Sequence, residues 1–151
     1  MSPQVTLALV VGTAALLEDL RYRTISNWTT LGAACTGLAY HAWQFGWSGF
    51  LSSLSGLMVG FFVFFIFYLL GGMGGGDIKL MAGFGAILGG AFLTIQAAVF
   101  SAAIGGVLAS LVLMYRALKR CFRLREGSPS PFMPYAPAIT SGAWLTLLAN
   151  T

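Results

Sequence analysis

The sequence predicts an all-α membrane protein of six transmembrane helices, and three observations carry that expectation. Of 151 residues, 58% are hydrophobic and only 8% charged, whereas an ordinary soluble domain carries roughly 25% charged residues. The charges fall in three clusters, with none between Arg23 and Asp77, between Lys79 and Arg116, or after Glu126. A span needs about 20 residues. The first gap therefore holds two spans, the second two short ones or one span with a re-entrant turn, and each end one. Length places the whole of residues 1–151 in a single domain.

Span one covers approximately Val5 to Leu17 and is followed by the polar loop Glu18 to Asn27. Ser26 or Asn27 is suited to cap the next helix, because both side chains can accept a hydrogen bond from a free backbone N–H. Span two runs from about Trp28 to Trp43, with Trp28, Trp43 and Trp47 placed as interfacial anchors. A tight turn over Gly46 to Gly49 leads into span three, Leu51 to Leu70, whose Phe61–Tyr68 block is apolar all round. After a glycine-rich loop, Asp77 opens span four. Gly89-Gly90 makes the turn into span five, which continues to about Tyr115. A basic loop ending in Gly127-Ser128-Pro129-Ser130-Pro131 precedes span six, Tyr135 to Ala149. Pro134 and Pro137 bracket its start, where proline is best tolerated.

Topology follows from the charges. All eight Lys and Arg residues lie in or beside the loops after spans one, three and five, and the turns near Gly46 and Gly89 carry none. Basic residues mark the cytoplasmic side, so both termini are expected on the non-cytoplasmic side. The net charge of +4 then serves orientation and contact with lipid headgroups rather than nucleic-acid binding. A cleavable signal peptide fits poorly, since no basic residue precedes the first apolar run. Cys35 and Cys121 form neither a CxxC motif nor a disulfide framework, and Cys35 is expected as a small packing residue within a span.

The chemistry is concentrated in Gly71-Gly72-Met73-Gly74-Gly75-Gly76-Asp77-Ile78-Lys79-Leu80. A charge near bilayer depth costs about 2.5–3.5 kcal/mol on insertion scales, so it is usually a working residue. The glycines let the backbone leave helical geometry and let other groups come close. Asp77 and Asp19 are the only aspartates, and both sit at the same predicted end of their spans. They are expected to meet across the bundle and share a water. Two carboxylates at such range share a proton and titrate as a pair, which suits activation of water against an amide carbonyl. A purely structural role, capping a helix or pairing with a nearby Arg or Lys, is the competing account for each aspartate alone.

Other polar residues invite simpler explanations. Lys79 could act on the Asp77 carboxylate or snorkel to headgroups, and the helical offset between the two positions favours snorkelling. Arg21 and Arg23 read as orientation charges. Glu18 should point away from Asp19, with contact to a basic peptide as the other option. His41, the single histidine, is expected at the interface. Gly56 and Gly60 form a small-xxx-small pair for helix packing. No His, Cys or acidic cluster supports a metal site, and no cofactor is implied.

Three segments together resemble the prepilin peptidases. Gly74-Gly75-Gly76-Asp77 is a GxGD motif. Asp19 to Asn27 is similar to that family's D-x-R-x-x-x-I-P-N segment, and Pro134-Tyr135-Ala136-Pro137 to the P-Y-x-P segment opening its last span. The resemblance implies a membrane-embedded aspartic endopeptidase with Asp19 and Asp77 as the catalytic pair. It also implies that Gly74, Gly76, Lys79, Pro134, Tyr135 and Pro137 bind substrate or shape the site. Substrates would be prepilins or pseudopilins, cut after a glycine on the cytoplasmic side of a bacterial or archaeal cytoplasmic membrane. The chain lacks the paired CxxC motifs of the methyltransferase region found in longer members. It therefore resembles the short, peptidase-only type of tight-adherence (Flp-type) pili or archaeal preflagellin processing. Ser26 departs from the usual proline. Two alternatives remain at this level: presenilin-like cleavage within a span, and a small transporter or channel subunit in which the aspartates relay protons or a cation. Oligomeric state is not readable.

Overall fold

The computed structural model describes residues 3–22, 24–70, 73–121 and 136–150. These form five helices, α1 Pro3–Tyr22, α2 Asn27–Leu69, α3 Gly75–Leu88, α4 Ala91–Cys121 and α5 Ala136–Ala149, with no strand among the described residues. Three helical stretches are long and apolar enough to cross a membrane: Pro3–Tyr22, Asn27–Leu69 and Ala91–Leu111. The shorter α3 and α5 have 14 residues each.

The expected spans two and three are one element, α2, interrupted at a single residue. Gly46 has φ 61° and ψ −141°, a conformation open to glycine because it has no Cβ to collide with the flanking carbonyl. The turn expected over four residues therefore contracts to one, and five helices stand where six were anticipated. The two arms of α2 fold back on each other. Along the first arm, Ala33 meets Gly83, Gly37 meets Ala86 and His41 meets Gly89. Along the second the order reverses, with Ser53 at Ala86, Gly56 at Gly85 and Gly60 at Met81. The arms are antiparallel, and α3 lies against both.

From Asp77 to Leu88 every residue of α3 is buried except Lys79. A helix that is apolar all round belongs inside a bundle, and glycine sets how closely the neighbours can approach. A Cβ on Gly56 would run into the Gly85 carbonyl oxygen, and one on Gly85 into that of Gly56. One on Gly60 would lie 2.6 Å from Met81 O, and one on Gly37 2.6 Å from the Ala86 carbonyl carbon. Gly56 and Gly60 thus pack as anticipated.

Burial creates a further requirement. The last four carbonyls of a helix lack intrahelical donors, and lipid offers none. At the end of α3, Ser53 Oγ donates to Ala86 O at 2.7 Å and Ser52 Oγ to Gly89 O at 2.7 Å. His41 Nε2 lies 3.0 Å from Ile87 O. His41 is consequently buried, 4% exposed, and not interfacial as expected. Cys35 also differs from expectation: it is exposed. The three flanking tryptophans, Trp28, Trp43 and Trp47, are exposed.

The remaining helices close the bundle. Helix α5 packs on α1, α3 and α4. Trp144 Nε1 donates to Ala8 O at 3.0 Å, with its indole seated over Gly12. Ser101 of α4 meets Gly142 of α5 so closely that a Cβ there would overlap the hydroxyl. The bundle has two chemically distinct ends. At one, Ile25 rests on Gly76 and Lys79 reaches Asn27. At the other lie the uncharged turns of Gly46 and Gly89.

The close approach makes a quantitative prediction. Gly85→Ala should destabilise the bundle by about 1–3 kcal/mol, the usual penalty of overpacking. Gly106→Ala, whose Cβ meets nothing within 4 Å, should change stability by no more than about 1 kcal/mol, in the stabilising direction. Equilibrium unfolding in mixed micelles distinguishes the two.

Candidate active site

Asp19 is carried inward by a stripe of small residues. Val5, Ala8, Gly12, Ala15 and Asp19 are the buried positions of α1, and their spacing of three and four places them on one face. Small side chains bring this face against the bundle, so its final member enters with the rest. Asp19 is only 6% exposed.

Asp77 arrives by a different route. Gly74 stands in extended conformation just before α3 and its N–H donates to Asp77 Oδ2 at 3.2 Å, while Asp77 N–H donates to Gly74 O at 3.1 Å. A carboxylate in the first turn also complements the positive end of the helix dipole. The capping account of Asp77 is thus correct as far as it goes. The Gly74 bond engages one carboxylate oxygen, however, and Asp77 is 8% exposed, while a cap alone can be made in water. Burial is the largest influence on this carboxyl, followed by the Gly74 hydrogen bond and, least, the charge of Asp19. Two acidic side chains from separate helices are therefore both buried at the same end of the bundle.

The other anticipated site residues divide. Gly74 holds the Asp77 carboxylate. Gly76 gives room to Ile25, since a Cβ there would sit 3.3 Å from Ile25 Cβ, and this contact closes the α1–α2 connection over the start of α3. Lys79 turns away from Asp77: its Nζ donates to Asn27 Oδ1 at 2.8 Å. Pro137 lies in the first turn of α5, half-buried, its carbonyl accepting from Thr140 Oγ1 and Ser141 Oγ. Pro134 and Tyr135 fall outside the described residues. Among the described residues, no three His, Cys, Asp or Glu side chains converge as metal ligands.

Sequence reasoning missed the role of Glu18. Its Oε2 accepts the Ser26 N–H at 2.8 Å and its Oε1 the Thr29 hydroxyl at 2.6 Å. Ser26 is also the N-cap of α2, its Oγ accepting from Trp28 N–H at 3.2 Å. One carboxylate thus ties the end of α1 to the first turn of α2, directly beside Asp19. A proline at position 26 has no N–H to give, so serine there supplies a bond that the more usual residue cannot. The signal was present in a glutamate eight residues before a capping serine, but only the fold-back of the loop turns that spacing into a contact. Glu18→Ala should therefore loosen this junction by about 1.5–3 kcal/mol, the range for hydrogen bonds to a charged group. The expected readout is faster amide hydrogen exchange over residues 26–30, with the Gly46 end unchanged.

Two buried carboxylates that share a site can hold one proton between them. They can then act as general base and general acid on the same substrate, activating water and polarising a carbonyl. No curated protein and no solved structure matches the chain. The type IV leader peptidase family matches over residues 6–117. That span includes Asp19, Gly74, Gly76, Asp77 and Lys79, and it ends before α5. With most of the chain matched and both aspartates inside the match, the protein belongs to the type IV leader peptidase family.

Proposed function

We propose that this peptidase is an aspartic endopeptidase of GxGD type, using Asp19 and Asp77 to remove the short basic leader of prepilins or pseudopilins after a glycine. The observation that supports the reading is that the two aspartates, far apart in sequence, are each less than 9% exposed and lie at the same end of the bundle. With one proton shared, the ionised carboxylate takes a proton from water as the water oxygen adds to the scissile carbonyl. The protonated partner donates to the developing oxyanion. Collapse of the tetrahedral species breaks the C–N bond, and the proton taken from water passes to the leaving amine. Gly74, without a side chain beside Asp77, leaves room for an extended peptide, and Gly76 shapes the site by seating Ile25. Pro134, Tyr135 and Pro137 are proposed to border the same site from the start of α5.

The membrane arrangement belongs to the same proposal. Helix α1, the two arms of α2, α3, α4 and α5 would make six crossings of a bacterial or archaeal cytoplasmic membrane, with both termini outside. The distribution of charge supports this sidedness, because Arg21 and Lys79 lie at the aspartate end and the opposite turns carry no charge. Cleavage would then occur at the cytoplasmic face, where a basic leader is held back from crossing.

Two experiments test these statements. Co-expression with a leader-bearing prepilin should give a shortened product, and Asp19→Asn or Asp77→Asn should each reduce processing at least ~100-fold, as expected for loss of an acid–base group. Unchanged processing by both variants, accompanied by altered ion flux, would favour proton or cation relay instead. In a cysteine-free background, a cysteine at Ser48 should react with an impermeant reagent from outside, and one at Thr24 only after permeabilisation.

A further inference from the structure

Helix α3 carries its charged residues on different faces. Asp77 and Lys79 are two positions apart, about 200° around the helix at 100° per residue. Asp77 is buried against the bundle and Lys79 alone emerges. Where it emerges, an open groove of about 330 Å³ runs between α3 and the two arms of α2. Its walls are apolar, formed by Leu31, Ala34, Leu57 and Phe61, and its lining also includes Asn27 and Lys79. The pairing order of the helices sets the groove's direction. Asn27 and Lys79 lie at the aspartate end, and Ala34 and Leu57 lie further toward the Gly46 turn.

We propose that this groove is a binding site for one anionic glycerophospholipid, its phosphate on Lys79 and one acyl chain along the apolar walls. Three features argue for that occupant. The groove is open and almost wholly apolar along Leu31, Ala34, Leu57 and Phe61, a surface that a hydrocarbon chain can cover, whereas an extended peptide laid there would leave its backbone polar groups unpaired. The Lys79 ammonium has three N–H donors and gives one to Asn27 Oδ1 at 2.8 Å. That bond fixes the ammonium at the mouth and leaves two donors for phosphate oxygens. Finally, a cation at the polar mouth of an apolar groove between membrane helices matches the charge and shape of an anionic headgroup above its chain. The proposal depends on the chain's lying in a membrane and is independent of the peptidase chemistry on the other face of α3.

The test uses the full chain, purified in detergent and stripped of lipid, then offered phosphatidylglycerol or phosphatidylcholine and read by native mass spectrometry. Wild-type protein should retain phosphatidylglycerol about fivefold better, the preference expected of one cation near the headgroup. Lys79→Gln, which keeps a donor for Asn27, should abolish the preference without abolishing lipid retention. Ala34→Phe, which fills the groove, should lower retention of both lipids. Equal retention of the two lipids by the wild type, or an unaltered preference in Lys79→Gln, would overturn the proposal. A photo-crosslinker at Leu31 keeps the test decisive should Ala34→Phe fail to fold. A lipid adduct is the expected result, and an adduct with a pilin helix or a second copy of this chain would overturn it.

Discussion

Glycine sets the distance between α3 and the two arms of α2, and the rest of the bundle follows from that distance. Gly56 and Gly85 are in mutual backbone contact, and Gly37 and Gly60 bring the arms against Ala86 and Met81. Between helices in lipid there is no hydrophobic drive to associate, because the surrounding tails are as apolar as leucine. Close packing and hydrogen bonding must supply the attraction, and both weaken if the backbones are held apart by side chains. Ser52, Ser53 and His41 reach the last carbonyls of α3 only because the arms are this near. One constraint therefore serves both dispersion and polar satisfaction.

The same closeness explains how two acidic groups come to be buried at one end of the bundle. Helix α3 is held along its length and at its far end, which leaves its first turn in a defined position. Gly76 accepts Ile25 there, while Glu18 fastens the end of α1 to the start of α2. Asp19 and Asp77 are thus supported by neighbours on three elements instead of projecting from loose loops. Sites built on rigid elements hold geometry more closely than sites on loops.

Much of this arrangement was legible from residue order, for identifiable reasons. The aspartates stood out because ionisable residues are scarce in a chain that is 8% charged, and each ends or opens an apolar run. The helical character and the packing role of Gly56 and Gly60 followed from composition and spacing. The single-residue reversal at Gly46 was less visible, since the four residues Gly46 to Gly49 contain two glycines and either could break a helix. His41 was misjudged because a histidine near the end of a span resembles an interfacial residue. Its partner is a carbonyl 46 positions away, and nothing local announces that contact. Lys79 and Glu18 share this difficulty. Each satisfies a polar group on another helix, which becomes evident only once the chain has folded back.

The Gly46 reversal also bears on how the protein enters a bilayer. From Asn27 to Leu70 the sequence contains no Asp, Glu, Lys or Arg, and this stretch includes both arms and the bend between them. The bend can therefore lead through the hydrocarbon without dragging any ionised side chain across, each of which would cost about 2.5–3.5 kcal/mol on the insertion scale. Asp19 and Asp77 flank the hairpin and, in the proposed topology, stay on the side from which it entered. In that topology, a one-residue bend in an uncharged hairpin thus leaves the acidic pair at the same leaflet.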